Sequence, residues 1–178
     1  MLRLLLLAVL FVSPVFAQDT QPSALTGTGC GADTVHFDVK TDKKHHPTAQ
    51  PEPGKALVYV IGDSNADHVA IHVGAPPTRF GVDGTWVGAN GFRTYFFFPV
   101  DPGEHRLCTE EQTIVKRANK SSIAATSFTA EAGQSYYFKT KTPDRPVSGE
   151  ELKLVAVDPA EAQVLIEATA YSTSALKK

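Results

Sequence analysis

Residues Arg79–Cys108 read RFGVDGTWVGANGFRTYFFFPVDPGEHRLC, short apolar runs cut at even intervals by Asp83-Gly84, Asn90-Gly91 and Pro102-Gly103. Those dipeptides are the chemistry of tight β-turns: glycine reaches positive φ without a Cβ clash, and proline presets φ near the turn value. The segment predicts a sheet folded back on itself, with no glycine-rich cofactor loop in it. Within it, Tyr95-Phe96-Phe97-Phe98 alternates rings onto both faces of one strand. One set fills a core, and the other needs cover from a helix, a second sheet or a partner. Uncovered, it would form the kind of apolar patch that marks an interaction site. Tyr95 and Phe97, together with Trp86, are therefore the candidate binding residues.

Strand signals continue on both sides. Upstream, Lys55–Ile61 is an unbroken β-rich run, the pattern of a central strand covered on both faces. Val35–Val39 alternates apolar and polar residues, as a half-buried strand does. Thr41–Gly54 carries Lys43-Lys44-His45-His46 and Pro47, Pro51 and Pro53, and reads as a linker. Gly62–Pro77 mixes turn residues with a short run, His68–Val73, expected at a sheet edge. Downstream, Glu111–Ser122 is polar and Ile123–Ala130 is a strand candidate. Ala132-Gly133-Gln134 turns into the aromatic strand Ser135–Lys139, and a loop over Pro143–Glu150 precedes a strand over Leu152–Val157. Asp158-Pro159-Ala160-Glu161 then places an acid at the cap, proline at the first helical position and Glu three residues after the cap, a helix start. Ala160, Val164, Ala168 and Tyr171 fall at helical spacing along one stripe. The sum is a mainly-β chain, a β-sandwich of about seven to nine short strands with one C-terminal helix.

Arg3, the apolar run Leu4–Val12 and the small-residue ending Val15-Phe16-Ala17 have the layout of an export signal. The run is far short of the roughly 20 residues a helix needs to cross a bilayer core. The expected organisation is a signal peptide over residues 1–17, a polar leader with one short strand and a linker over 18–50, a sandwich with its helix over 51–172, and a tail over 173–178. No transmembrane segment is expected in the mature chain, whose location would be periplasmic or extracellular. Both cysteines, Cys30 and Cys108, survive cleavage and would meet an oxidising compartment, so they are expected to pair. The chain-entropy model gives a bridge over so long a loop roughly 4 to 5 kcal/mol of stabilisation.

The formal net charge is −2, and there is no basic stripe with interleaved aromatics, so nucleic acid is not an expected partner. Lys177-Lys178 is too short for a polybasic membrane anchor.

The order Pro53-Gly54-Lys55 into Val58-Tyr59-Val60, then Val82-Asp83-Gly84, Val87-Gly88, Tyr95–Phe98 and Pro102-Gly103-Glu104-His105, resembles bacterial PEGA-type β-sandwich domains of prealbumin-like architecture. More narrowly it is similar to the bacterial domain-of-unknown-function family 2846, and Ala132-Gly133-Gln134 with Tyr136–Lys139 and Leu152–Ala162 fit the same pattern. The likeness spans Pro51 to Leu165. It implies an envelope-associated, non-catalytic module with no cofactor, whose partner is an envelope protein or a cell-wall component. Members are often lipid-anchored; this chain has no cysteine at the expected cleavage point, which departs from that pattern.

Two chemical constellations compete with that reading. Gly62-Asp63-Ser64-Asn65 after a buried strand resembles the nucleophile block of GDS-type esterases, which would make Ser64 the attacking group. Its base would be a histidine in a downstream Asp-x-x-His, but here Asp33–His36 and Asp42–His45 both precede the serine and no histidine follows His105. That family is also α/β. His68 and His72 lie four apart, about 13 Å on a strand, too far to share a metal without a bend. With His45 and His46 they are the only candidates for a weak metal site; no catalytic set and no metal centre are expected. Asn119-Lys120-Ser121 is a glycosylation sequon, discounted in a bacterial-type chain, and His105 is expected to partner a turn. The expected function is an exported, non-catalytic binding or structural module; the alternatives are a Ser64 hydrolase and a weak histidine metal binder.

Overall fold

A computed structural model describes residues 30–62, 76–112, 123–141 and 152–178. The described elements are β1 (Phe37–Asp42), β2 (Ala56–Ile61), β3 (Thr78–Val82), β4 (Thr85–Asn90), β5 (Thr94–Val100), β6 (Gly103–Glu111), β7 (Ile123–Ala130), β8 (Ser135–Lys141), β9 (Lys153–Ala156), α1 (Pro159–Ala168) and β10 (Ala170–Leu176). They form a six-stranded sheet in the order β1-β10-β5-β2-β8-β9 and a four-stranded sheet in the order β4-β3-β6-β7. The fold is a β-sandwich with one helix near the C-terminus, as the strand and turn pattern predicts. The expected edge strand His68–Val73 lies outside the described residues.

The core between the sheets takes Val58, Val60, Phe96, Phe98, Phe138 and Leu154 from one side and Phe80, Val82 and Leu107 from the other. β2 is buried at all six positions. Its even-numbered residues face the second sheet, and Leu57, Tyr59 and Ile61 face outward into a second core closed by Ala162 and Ile166 of α1.

The turn-rich block folds differently from a single folded-back sheet. Asp83-Gly84 is a hairpin turn between β3 and β4, with both residues at positive φ (52° and 82°), the backbone twist that two-residue hairpins favour. The other two breaks carry the chain between sheets: β4 lies in the four-stranded sheet, β5 in the six-stranded one, and β6 returns beside β3. At the first crossing the left-handed residue is Arg93 (φ 55°), and the Thr94 hydroxyl spans the bend by accepting from the Gly91 amide and donating to its carbonyl, each at 2.9 Å.

Three further expectations change. The leader strand begins later than Val35, at Phe37, and pairs with β10 inside the six-stranded sheet. Residues expected to form a tail belong to β10, which pairs antiparallel with β1 and parallel with β5. Its sequence, AYSTSAL, carries little apolar alternation, because its buried anchor is Ser172, whose hydroxyl donates to Thr94 Oγ1 at 3.1 Å. Third, Asp158 caps α1 as expected, accepting from the Ala160 and Glu161 amides, but the buried residues are Ala162 and Ile166. Ala160, Val164 and Ala168 are exposed, and Tyr171 lies beyond the helix. Apolar residues nearly encircle this helix, and the sheet takes the side whose Ile166 and Leu165 offer more apolar area.

Truncation separates the two faces of α1. Ile166→Ala is expected to cost about 2–5 kcal/mol in urea unfolding, whereas Val164→Ala stays within about 0.5 kcal/mol. Equal effects would contradict the helix orientation.

Candidate functional site

The alternation of the aromatic strand is as the sequence predicts, and the face it presents outward is occupied. Tyr59 pairs across strands with Phe97 on β5 and with Tyr137 on β8, the ring centroids 5.0 Å apart in each pair. Tyr171 of β10 adds rings 5.5 Å from Tyr95 and 5.7 Å from Phe97. Helix α1 packs on this face through Ala162, Leu165 and Ile166. The chain between β1 and β2 lies across it as a strap: the Tyr95 hydroxyl donates to the Pro47 carbonyl at 2.9 Å, and the Tyr59 hydroxyl accepts from the Ala49 amide at 2.8 Å and donates to the Ala49 carbonyl at 3.1 Å. Burial raises both tyrosines above their ordinary range, Tyr95 to about 12, so each hydroxyl keeps its donor proton. Tyr95 is fully buried and Phe97 half-buried, so neither offers an open binding ring. The linker of the sequence reading shares the cover with α1.

Trp86 serves a different attachment. Its indole N–H donates to the Ala32 carbonyl at 3.0 Å, and the Arg79 guanidinium lies 4.1 Å from the ring centroid. A side chain at Gly31 would place its Cβ 2.6 Å from the indole, so glycine is required for this approach. The same segment carries Cys30, bonded to Cys108 on β6 across a sequence separation of 78 with the Cα atoms 5.6 Å apart. Cys30 also presses on β3: a Cβ at Gly81 would meet the Cys30 carbonyl oxygen at 2.4 Å. The sulfur–sulfur pairing expected from the export signal is present.

Arg79, Glu110 and Gln112 complete this N-terminal attachment and are not singled out by the sequence reading. The buried Arg79 guanidinium donates to the Val35 carbonyl and to Glu110 Oε2 at 2.8 Å. The Gln112 side chain brackets Phe37, accepting from its amide at 2.6 Å and donating to its carbonyl at 3.0 Å. A single arginine beside Phe80 in a short strand was the available signal. Reading it correctly requires knowing that this face is covered by Ala32–Val35.

The histidines divide. His45 Nδ1 lies 2.7 Å from Asp42 Oδ2. Asp42 also accepts from the Lys44 and His45 amides, and these bonds, led by that from Lys44, lower its carboxyl to about 2. His46 is exposed. His68, His72, Ser64 and the Asn119 sequon lie outside the described residues. Among the described residues no group of three or more His, Cys, Asp or Glu side chains is arranged to hold a metal ion, and no helix is long and apolar enough to cross a membrane.

His105, expected beside a turn, is the centre of a polar cluster at one end of the sandwich. Its Nδ1 lies 2.7 Å from Asp83 Oδ2 and its Nε2 2.7 Å from the Asp101 carbonyl oxygen. Asp83 Oδ1 accepts from the Arg106 amide at 2.8 Å, and the Asp101 carboxylate accepts from Lys55 Nζ at 2.6 Å. Lys55 lowers the Asp101 carboxyl through that bond. Burial opposes charging His105, but the bonds to Asp83 and to the Asp101 carbonyl outweigh it and raise the imidazole above its ordinary value.

The strap has a direct test. Tyr95→Phe removes one donor and leaves the Pro47 carbonyl without it, an expected loss of about 1 kcal/mol. Amide exchange at Ala49 should quicken at the same time. Unchanged stability and unchanged exchange would mean the strap is not held by the aromatic face.

No family model, no curated protein and no solved structure matches this chain.

Proposed function

We propose that this chain is an exported, non-catalytic β-sandwich of the bacterial cell envelope, a binding or structural module of the kind that PEGA-like domains and domain-of-unknown-function family 2846 represent. The observation that carries the reading is the Cys30–Cys108 bond. Disulfides persist in oxidising compartments and are rare in the reducing cytosol, and the export layout of residues 1–17 leads there. A non-catalytic role is supported by what the described polar side chains do. Arg79, Gln112, Tyr59 and Tyr95 are spent on holding backbone segments in place. The partner is an envelope protein or a cell-wall component, and no cofactor is called for.

The test is expression with the native N-terminus in a bacterium with two membranes, followed by osmotic shock and intact-mass measurement. The expected product is periplasmic, begins at Gln18 and resists thiol alkylation unless first reduced. An unprocessed cytoplasmic chain with two alkylated thiols would overturn the reading. In the purified protein, Cys30→Ser with Cys108→Ser should lower unfolding free energy by up to roughly 4 to 5 kcal/mol, the loop-closure term for a bridge of this span.

A further inference from the structure

We propose that His105 is a pH-gated clamp, which as an imidazolium ties the β3–β4 turn to the β5–β6 turn and on losing a proton lets go of one of them. Both ring nitrogens face oxygens that carry no hydrogen, the Asp83 carboxylate and the Asp101 carbonyl, each at 2.7 Å. Only a ring with N–H on both nitrogens donates to both. A neutral imidazole has one N–H, so one nitrogen lone pair would be set against an oxygen lone pair, and that contact must open. The ring has little freedom to turn to water instead. Its side chain is 12% exposed, and its centroid lies 5.6 Å from that of Phe128, its cross-strand partner on β7.

The charges facing the ring come from three places. Asp83 sits in the β3–β4 turn at positive φ and holds His105 through Oδ2 and the Arg106 amide through Oδ1. Asp101 sits in the β5–β6 connection, its carboxylate held by Lys55 from the segment before β2. Glu104 and Arg106 flank the histidine on β6, and β7 contributes the uncharged Phe128. The two anions outnumber the one cation ion-paired within the cluster, which favours the imidazolium, in agreement with the upward direction of its titration. The clamp joins unlike parts of the fold: the first turn is internal to the four-stranded sheet, and the second is where the chain passes between sheets. The sign follows. A histidine titrating higher in the folded chain than its ordinary 6.5 contributes stability that is fully present below that value and is lost as pH rises through the folded value. The one N–H left on the neutral ring stays on the charged Asp83 acceptor, so alkaline pH frees the Asp101 carbonyl and loosens the β5–β6 turn.

The experiment is a titration of the full isotope-labelled protein from about pH 5 to about pH 9, reading both His105 ring nitrogens by long-range proton–nitrogen correlation. The Asp101 carbonyl carbon shift and exchange of the Arg106 amide are followed in the same samples. Expected are N–H on both ring nitrogens at the acid end, a midpoint above 6.5, and, across that midpoint, loss of the Nε2 proton with a shift of the Asp101 carbonyl carbon, while Arg106 keeps its bond to Asp83. Asp83→Asn should bring the midpoint down, and His105→Gln should abolish the pH-dependent step at the Asp101 carbonyl. A midpoint at or below 6.5, or a titration that leaves the Asp101 carbonyl carbon shift unchanged, overturns the proposal. Both readouts come from the unaltered protein, so the outcome does not depend on either variant folding.

Discussion

The double burial of β2 is the constraint on which the rest of the structure depends. All six of its residues are apolar or aromatic and buried, and its backbone is paired on both sides, antiparallel to β5 and parallel to β8. Each apolar side chain fully removed from water contributes about 1.5–3 kcal/mol, so both faces require cover. Val58 and Val60 obtain it from the second sheet, and Leu57, Tyr59 and Ile61 obtain it from α1 and the strap. The parallel partner adds a topological demand. Parallel neighbours need a long crossover, and the chain between β2 and β8 includes the entire four-stranded sheet together with β5. One strand thus specifies both the second layer and the outer cover.

The N-terminal segment and the strap are fastened by a repeated device, a side chain on a strand or just past its end hydrogen-bonded to the backbone of a passing segment. Tyr59 and Tyr95 hold the strap at Ala49 and Pro47; Arg79, Trp86 and Gln112 hold the N-terminal segment at Val35, Ala32 and Phe37. Loop backbone carries polar groups that burial would leave unsatisfied, and these donors and acceptors supply the partners. Arg79 is the costly case, because a buried guanidinium loses its hydration. Two carbonyls, the Glu110 carboxylate and the Trp86 ring surround it.

What was legible in the chain follows from how local the signal is. Asp83-Gly84, the continuous run of β2 and the Asp158-Pro159 helix start are decided by the residues that show them, and each is where it was expected. The changes of sheet after β4 and β5 were not legible, because a turn dipeptide fixes a reversal without fixing which sheet receives the next strand. β10 was missed because its anchor is a buried serine against Thr94, a contact between residues far apart in sequence. The buried side of α1 was misread for a related reason, since apolar residues on nearly every side leave the choice to the sheet beneath. The aromatic run announced a need for cover; a helix was among the expected covers, and only the fold identifies the linker as sharing that role.

That outcome narrows what the described surface offers a partner. The large apolar side chains left exposed among the described residues, Val87, Val164 and Leu176, lie on three different elements, and scattered apolar residues of this kind are ordinary surface. Rings that were candidates for recognition are engaged inside the fold. Among the described polar features are the outer strip of β6 and β7, with Glu104 and Arg106 facing Thr129 and Ser127 across the pair, and the turn cluster of Lys55, Asp83, Asp101 and His105. Recognition through these elements would rest on charge and hydroxyl groups, which makes it sensitive to salt. At the turn cluster it would also be sensitive to pH, because the groups that hold the two turns together are the same groups a partner would meet.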